Sequence, residues 1–195
     1  MTGIIDYGMG NLRSVQKALE FIGGKAIISN ERKELDRCDR LILPGVGSFA
    51  AGMENLRRAL FDQYVRLRAD DTPILGICLG MQMLLHASEE EGEHAGLALI
   101  SGRAVRFLQG KIPHMGWNGA YCLKSPLFCG IPEGALFYFV HSYYATTTGD
   151  EALAVCEYHR EFAAAVGKGH LFGVQFHPEK SGEVGLHLLR NFLRV

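Results

Sequence analysis

A chain of 195 residues with 20 basic and 21 acidic side chains, a formal net charge of −1 and 48% apolar residues suits one α/β domain with a sizeable core. Balanced charge without a basic block gives no reason to expect nucleic acid as a partner, and five cysteines without paired spacings point to a reducing compartment, the cytoplasm by default, and not to a disulfide framework. The opening MTGIIDYGMG has no positive n-region and its apolar stretch stops at Asp6, which argues against a secretory signal or a membrane span.

Strand and helix signals alternate through the first half. TGIID reads as a first strand and DYGMGN as a glycine-rich turn. Asn11 is placed to cap a helix whose apolar residues Leu12, Val15, Leu19 and Ile22 recur at helical spacing before Gly23 and Gly24 end it. KAIIS and RLIL (40–43) are the next strands. PGVGSF then leads into one long amphipathic helix with Phe49, Met53, Leu56, Leu60, Tyr64 and Leu67 on a single stripe. DDTPILGI supplies a fourth, fully buried strand.

From Gly102 onward the apolar segments shorten. AVRFL, AYCLK, LFYFV, ALAVCEY, FAAAVGK and LFGVQF read as strands, several of them antiparallel, and a last helix spans roughly residues 182–193. EEEGEH (89–94) reads as a solvated loop. The order implies an α/β fold: a flavodoxin-like mixed, mostly parallel central sheet flanked by helices, with an additional smaller antiparallel sheet in the second half, all within one domain over residues 1–195.

The stretch GICLGMQ, residues 76–82, concentrates the chemistry. A buried strand that gives way to a helix within one or two residues must turn sharply, and Cys78 sits at the corner with Gly76 and Gly80 two residues to either side, where side chains would collide with backbone. This is a nucleophile elbow with sulfur in place of oxygen. The unpaired amides at the start of the helix favour a thiolate and can receive an oxyanion. A base is available in GVQFHPEKS. Pro178 biases His177 toward extended geometry, and residues two apart in an extended chain point the same way, so Glu179 can orient the imidazole.

Together, GICLGMQ and FHPEKS resemble the class I, or triad, glutamine amidotransferases, and the resemblance covers essentially the whole chain. DYGMGN, LPGVGSF, PHMGWN and FVHSYY narrow it, being similar to the glutaminase subunits of imidazole glycerol phosphate synthases. The resemblance implies a glutaminase domain acting on L-glutamine, with Cys78 as nucleophile, His177 as general base and acid, and Glu179 as its orienter. It further implies that the loop Pro44, Gly45, Val46 and Gly47 and the amide of Leu79 hold the oxyanion, and that Gln82, His141, Ser142 and Tyr143 hold the glutamine. Gly45 and Gly47 allow the loop's peptide planes to turn toward a substrate.

No phosphate-binding or dinucleotide motif is present, so the chemistry that consumes ammonia lies elsewhere. The resemblance names that partner as a (β/α)8 barrel cyclase subunit, forming a heterodimer for histidine biosynthesis. Asn11, Met115, Trp117 and Lys180 are candidates for the interface. Trp117 stands either as an interface anchor or as a core tryptophan with its N–H satisfied. No cofactor is expected. His114 has no second ligand at metal spacing, so no metal is expected either. A cysteine peptidase or γ-glutamyl hydrolase of related fold, which would work without a barrel partner, remains an alternative, as does an inactive regulatory subunit.

Overall fold

In the computed structural model, which describes residues Met1–Val195, the first half alternates β1 (Thr2–Ile5), α1 (Leu12–Phe21), β2 (Ala26–Ser29), α2 (Arg32–Leu35), β3 (Arg40–Leu43), α3 (Phe49–Arg58), α4 (Phe61–Arg68), β4 (Ile74–Ile77) and α5 (Leu79–Leu84). The second half is mostly strand: β5 (Ala87–Ser88), β6 (His94–Ala95), β7 (Arg103–Arg106), β8 (His114–Ala120), β9 (Ala135–His141), β10 (Tyr143–Ala145), β11 (Ala152–Glu157), β12 (Glu161–Lys168) and β13 (Leu171–Val174), closed by α6 (Gly182–Phe192).

One sheet runs in the order β2-β1-β3-β4-β13-β12-β10-β7-β5-β6, with β11 on β12. From β2 to β13 every pairing is parallel, and β12, β10 and β7 continue it in antiparallel fashion. β8 and β9 form a separate antiparallel pair. The expected α/β class, with a mostly parallel central sheet and a small second sheet, is what the chain adopts.

Buried parallel strands feed a core on each face. Ile4, Ile42, Leu75 and Ile77 pack with Val15 and Leu19 of α1 and with Leu188, Leu189 and Phe192 of α6. Their neighbours in sequence, Ile5, Leu41, Leu43 and Ile74, point the other way, against Phe49, Met53 and Leu56 of α3 and Phe61 of α4. No helix is long and apolar enough to cross a membrane.

Four local expectations need correction. The single long helix after residue 48 is two helices, broken at Leu60 with φ +60°. Leu56 and Phe61 are both buried, yet five residues advance a continuous helix about 140° past the starting face. The left-handed residue resets the phase, and Leu60 and Leu67 are left 51% and 75% exposed. Asn11 occupies the cap position of α1 but its side chain makes no capping bond. At the other end of α1, Gly23 at φ +85° closes the helix as expected, with the Gly24 N–H donating to the Leu19 carbonyl. AYCLK is not a strand: β8 ends at Ala120, and Tyr121 makes only an isolated bridge to Val155. The charged run 89–94 is not wholly solvated, because the backbone N–H groups of Phe49 and Arg106 donate to Glu90 and Glu89.

Candidate active site

The parallel ladder brings the two motif stretches together. Val174 at the end of β13 pairs with Ile77 at the end of β4, and the Cys78 N–H donates to the Val174 carbonyl at 2.8 Å. Residues that leave the two strands therefore enter the same space. Cys78 adopts φ +55°, ψ −110°, a strained conformation for a residue with a side chain, immediately before α5. The turn is possible because its neighbours lack side chains. A Cβ on Gly80 would sit 1.8 Å from the Leu43 carbonyl oxygen, and one on Gly76 would sit 2.7 Å from the Gly80 oxygen.

His177 follows β13 by three residues and is 2% exposed. Its backbone is fixed on both sides: its N–H donates to the Tyr138 carbonyl, and its carbonyl accepts from the Lys180 N–H and the Ser181 hydroxyl. Nδ1 lies 2.9 Å from Oε1 of Glu179, whose side chain is 1% exposed. Burial alone would lower the His177 pKa, but hydrogen bonds to Cys78 and Glu179, reinforced by the charge of both, raise it to about 9. Both contacts therefore favour the protonated form of the ring.

The loop 44–47 closes the third side. A Cβ on Gly45 would fall 2.7 Å from the Gly80 nitrogen and 3.0 Å from the Tyr7 hydroxyl, so at this position the missing side chain serves close packing against the start of α5; only Gly47, at φ +97°, uses the conformational freedom expected of both glycines. Tyr7 anchors the loop by donating its hydroxyl to the Pro44 carbonyl at 2.8 Å. Burial, and then the nearby charge of Cys78, push the Tyr7 phenol up.

A cavity of about 340 Å3 opens over these groups and is lined by Val46, Gly47, Cys78, Leu79, Gln82, Glu90, His141, Ser142, Tyr143, His177 and Lys180, among others. It brings together most of the residues singled out in the sequence. Gln82 reaches it from α5 while donating Nε2 to the Tyr143 carbonyl and to Oε1 of Gln175, both at 3.0 Å. His141 has both ring nitrogens engaged within the protein, by the Tyr143 carbonyl and by His114, so its side chain has no free N–H for a ligand. A larger hollow of about 580 Å3 beside Asn118, Tyr121 and Glu161 carries none of the predicted residues.

Asn11, Met115 and Trp117 stand apart from the cavity, whereas Lys180 lies at its edge. Met115 and Trp117 are 61% and 54% exposed, and Trp117 packs edge-on to Tyr138 with centroids 6.1 Å apart. The core alternative for Trp117 is excluded. The alternation of the antiparallel pair puts Met115, Trp117, Leu136 and Tyr138 on the outer face of β8 and β9, with Phe137 and Phe139 buried on the inner face.

Sequence reasoning missed Tyr7, Glu90 and Gln175. Gln175 donates Nε2 to Cys78 Sγ at 3.7 Å. Its spacing of two from His177 and four from Glu179 was a usable signal. Glu90 was hidden in an acidic run, yet it lines the cavity and, after burial, its charge is the main influence pushing the Tyr143 phenol up. No three His, Cys, Asp or Glu side chains converge as a metal centre would require, and all five cysteines are free.

A strand-turn-helix thiol, an imidazole aligned by a carboxylate, and a glycine loop beside one cavity define a class of protein. The family model for glutamine amidotransferase class-I matches residues 4–195, and the chain belongs to that family. It is 48% identical over 197 residues to the imidazole glycerol phosphate synthase subunit HisH of Methanocaldococcus jannaschii, with both chains fully covered. It is 46% identical over 198 residues to the subunit of the same name from Chlorobaculum tepidum, covering 98% of each, and 49% identical to that of Geobacillus thermodenitrificans, covering all of this chain and 96% of the other. Among solved structures, one described as a glutamine amidotransferase superposes with a TM-score of 0.78 at 20% identity, covering 99% of this chain and 97% of that one. PurLQS from Thermotoga maritima gives 0.77, with the same identity and coverage. At that identity these two speak to the fold alone.

Proposed function

We propose that this chain is the glutaminase subunit of an imidazole glycerol phosphate synthase, hydrolysing L-glutamine to glutamate and ammonia and passing the ammonia to a (β/α)8 barrel cyclase. The observation that carries this reading is that Cys78, His177 and the loop residues Val46 and Gly47 line one cavity, with Glu179 bonded to His177 behind it, in a chain that aligns end to end with HisH subunits.

In this reading the Cys78 thiolate attacks the γ-carboxamide of glutamine. The amide of Leu79, at the first position of α5 and so without an intrahelical acceptor, and the backbone of Val46 receive the oxyanion. His177 gives its proton to the departing ammonia, and Glu179 keeps the ring oriented. A γ-glutamyl thioester remains, and water activated by the now neutral His177 hydrolyses it to glutamate. Gln82, Ser142 and Tyr143 surround the amino-acid portion. Glu90 adds the negative charge that an α-ammonium group calls for, its Oε2 being held by the Phe49 N–H at 2.6 Å.

Ammonia released into neutral water is captured by protons and loses its nucleophilicity. A partner docked over the cavity prevents that loss, and the exposed Met115, Trp117 and Leu136, with Lys180 at the rim, supply apolar and charged contacts for it; Asn11, apart from the cavity, is the remaining interface candidate. Ammonia release is to be measured for the chain alone and with the cyclase and its ligand. The reading expects slow turnover alone and much faster turnover in the complex. No turnover in either state would refute it, and equal rates would refute the coupling.

A further inference from the structure

Beneath the exposed face of β8 and β9 lies a polar relay in an apolar setting. His114 and His141 are cross-strand partners, so their side chains rise on the same side. His114 Nδ1 lies 2.9 Å from His141 Nε2, and both residues are buried. Tyr158 and Phe139 stack on the His114 ring at 4.1 and 5.0 Å, and Phe107 meets both imidazoles edge-on. Burial in this aromatic box lowers the pKa of His114 to about 4 and that of His141 to about 3, so both rings are neutral at physiological pH.

The partners then leave one arrangement of protons. His141 Nδ1 faces the Tyr143 carbonyl at 2.7 Å, and a carbonyl only accepts, so Nδ1 carries the hydrogen. Neutral His141 must therefore accept at Nε2, which makes His114 Nδ1 the donor. His114 in turn accepts at Nε2 from Asn118 Nδ2 at 3.3 Å. The Asn118 amide is oriented by two further bonds: Oδ1 accepts the Gly119 N–H at 2.8 Å, and Nδ2 also donates to the Glu157 carbonyl at 2.9 Å. At the far end, the Tyr143 carbonyl takes its second hydrogen bond from Gln82 Nε2.

We propose that His114 and His141 are positioning residues for glutamine binding: the Asn118–His114–His141 relay selects the one tautomer in which His141 holds the Tyr143 carbonyl, and that carbonyl sets Gln82 at the cavity wall. In the opposite tautomer an imidazole lone pair would face the carbonyl oxygen, displacing Tyr143 and removing one of the two acceptors that hold Gln82 Nε2. The kinetic part of this inference rests on the glutaminase reading above.

Two measurements test it. In 15N-labelled parent protein, NMR is expected to detect coupling across the hydrogen bond between His114 Nδ1 and His141 Nε2, with His141 protonated at Nδ1; a His141 protonated at Nε2, or no coupling, overturns the relay without reference to activity. Kinetics with the cyclase complex compare His114→Phe, which keeps the ring stack but removes the donor, with His114→Asn, which keeps an N–H near the Nδ1 position. Leaving a buried acceptor unpaired is expected to raise the glutamine KM roughly tenfold in His114→Phe with kcat changed about twofold or less, and His114→Asn is expected to recover most of the loss. A parental KM in His114→Phe, or a His114→Asn variant as impaired as His114→Phe, overturns the positioning role. If His114→Phe does not fold, His114→Asn and the NMR coupling decide the matter.

Discussion

The His177 N–H donates to the Tyr138 carbonyl at 2.9 Å, and that bond, with Ser181 Oγ accepting from the Tyr138 N–H and donating to the His177 carbonyl, joins the proposed catalytic base to the small outer sheet. Tyr138 is the cross-strand partner of Trp117, whose indole is exposed on the face proposed for docking. A partner seated on Trp117 would therefore press on a strand bonded directly to the backbone of His177. The fold thus provides a short mechanical route between the proposed docking surface and the proposed catalytic base, through a backbone bond that no side-chain substitution removes.

Replacing Trp117 with Ala is expected to weaken cyclase binding by about thirtyfold, the effect of losing an aromatic anchor worth ~2 kcal/mol. Because the side chain is already half exposed, the melting temperature of the isolated chain should change little. Calorimetric titration checks the first expectation and thermal unfolding the second; an unchanged Kd would remove Trp117 from the interface.

The raised pKa of His177 makes a signed prediction about stability. Its folded value of about 9 exceeds the ordinary 6.5, so the stabilisation is fully present below about pH 6.5 and is lost as pH rises through about 9. Thermal unfolding followed from pH 6 to 10 should show the parent losing stability relative to His177→Gln, which lacks the titrating ring. Parallel curves would mean that the imidazolium has no favourable partners in the fold. The same protonation predicts that ammonia release falls on the alkaline side near pH 9, where the proton donor is lost.

Two glycine substitutions separate crowding from backbone strain. Gly80→Ala forces a Cβ to within 1.8 Å of the Leu43 oxygen and is expected to cost more than about 4 kcal/mol or to prevent folding. Gly23→Ala meets nothing within 4 Å and should cost only about 1 kcal/mol, for its left-handed conformation. Urea unfolding distinguishes them, and similar midpoints would show that the elbow can relax in a way its packing does not suggest.

What could be seen in the sequence was what neighbours in the chain decide. The apolar run before Cys78, the glycines beside it and the helix-forming residues after it all act within a few positions, and so does the pairing of His177 with Glu179 across one proline. The break at Leu60 was missed because the stripe through Leu60, Tyr64 and Leu67 looks continuous, whereas the core keeps Tyr64 but takes Phe61 and Val65 in place of Leu60 and Leu67. β8 was misplaced because HMGWNGA carries two glycines and lacks β-branched residues; its pairing with β9 and the aromatic layer beneath it compensate. Tyr7, Glu90 and the His114–His141 relay depend on contacts between distant segments. Nothing local marks Tyr7 as the anchor of Pro44, 37 residues away, or Glu90 as a partner of the Phe49 amide, 41 residues away. Those links exist only once the sheet order has been set.

The most direct test of the account is to look for the thioester itself. The complex is mixed with glutamine, quenched in acid during turnover, digested and analysed by mass spectrometry. The peptide containing Cys78 should carry a γ-glutamyl group on sulfur, and Cys78→Ala should carry none and release no ammonia above background. Glutamine hydrolysis by Cys78→Ala at close to the parent rate, or a glutamyl group attached to a different side chain, would contradict it.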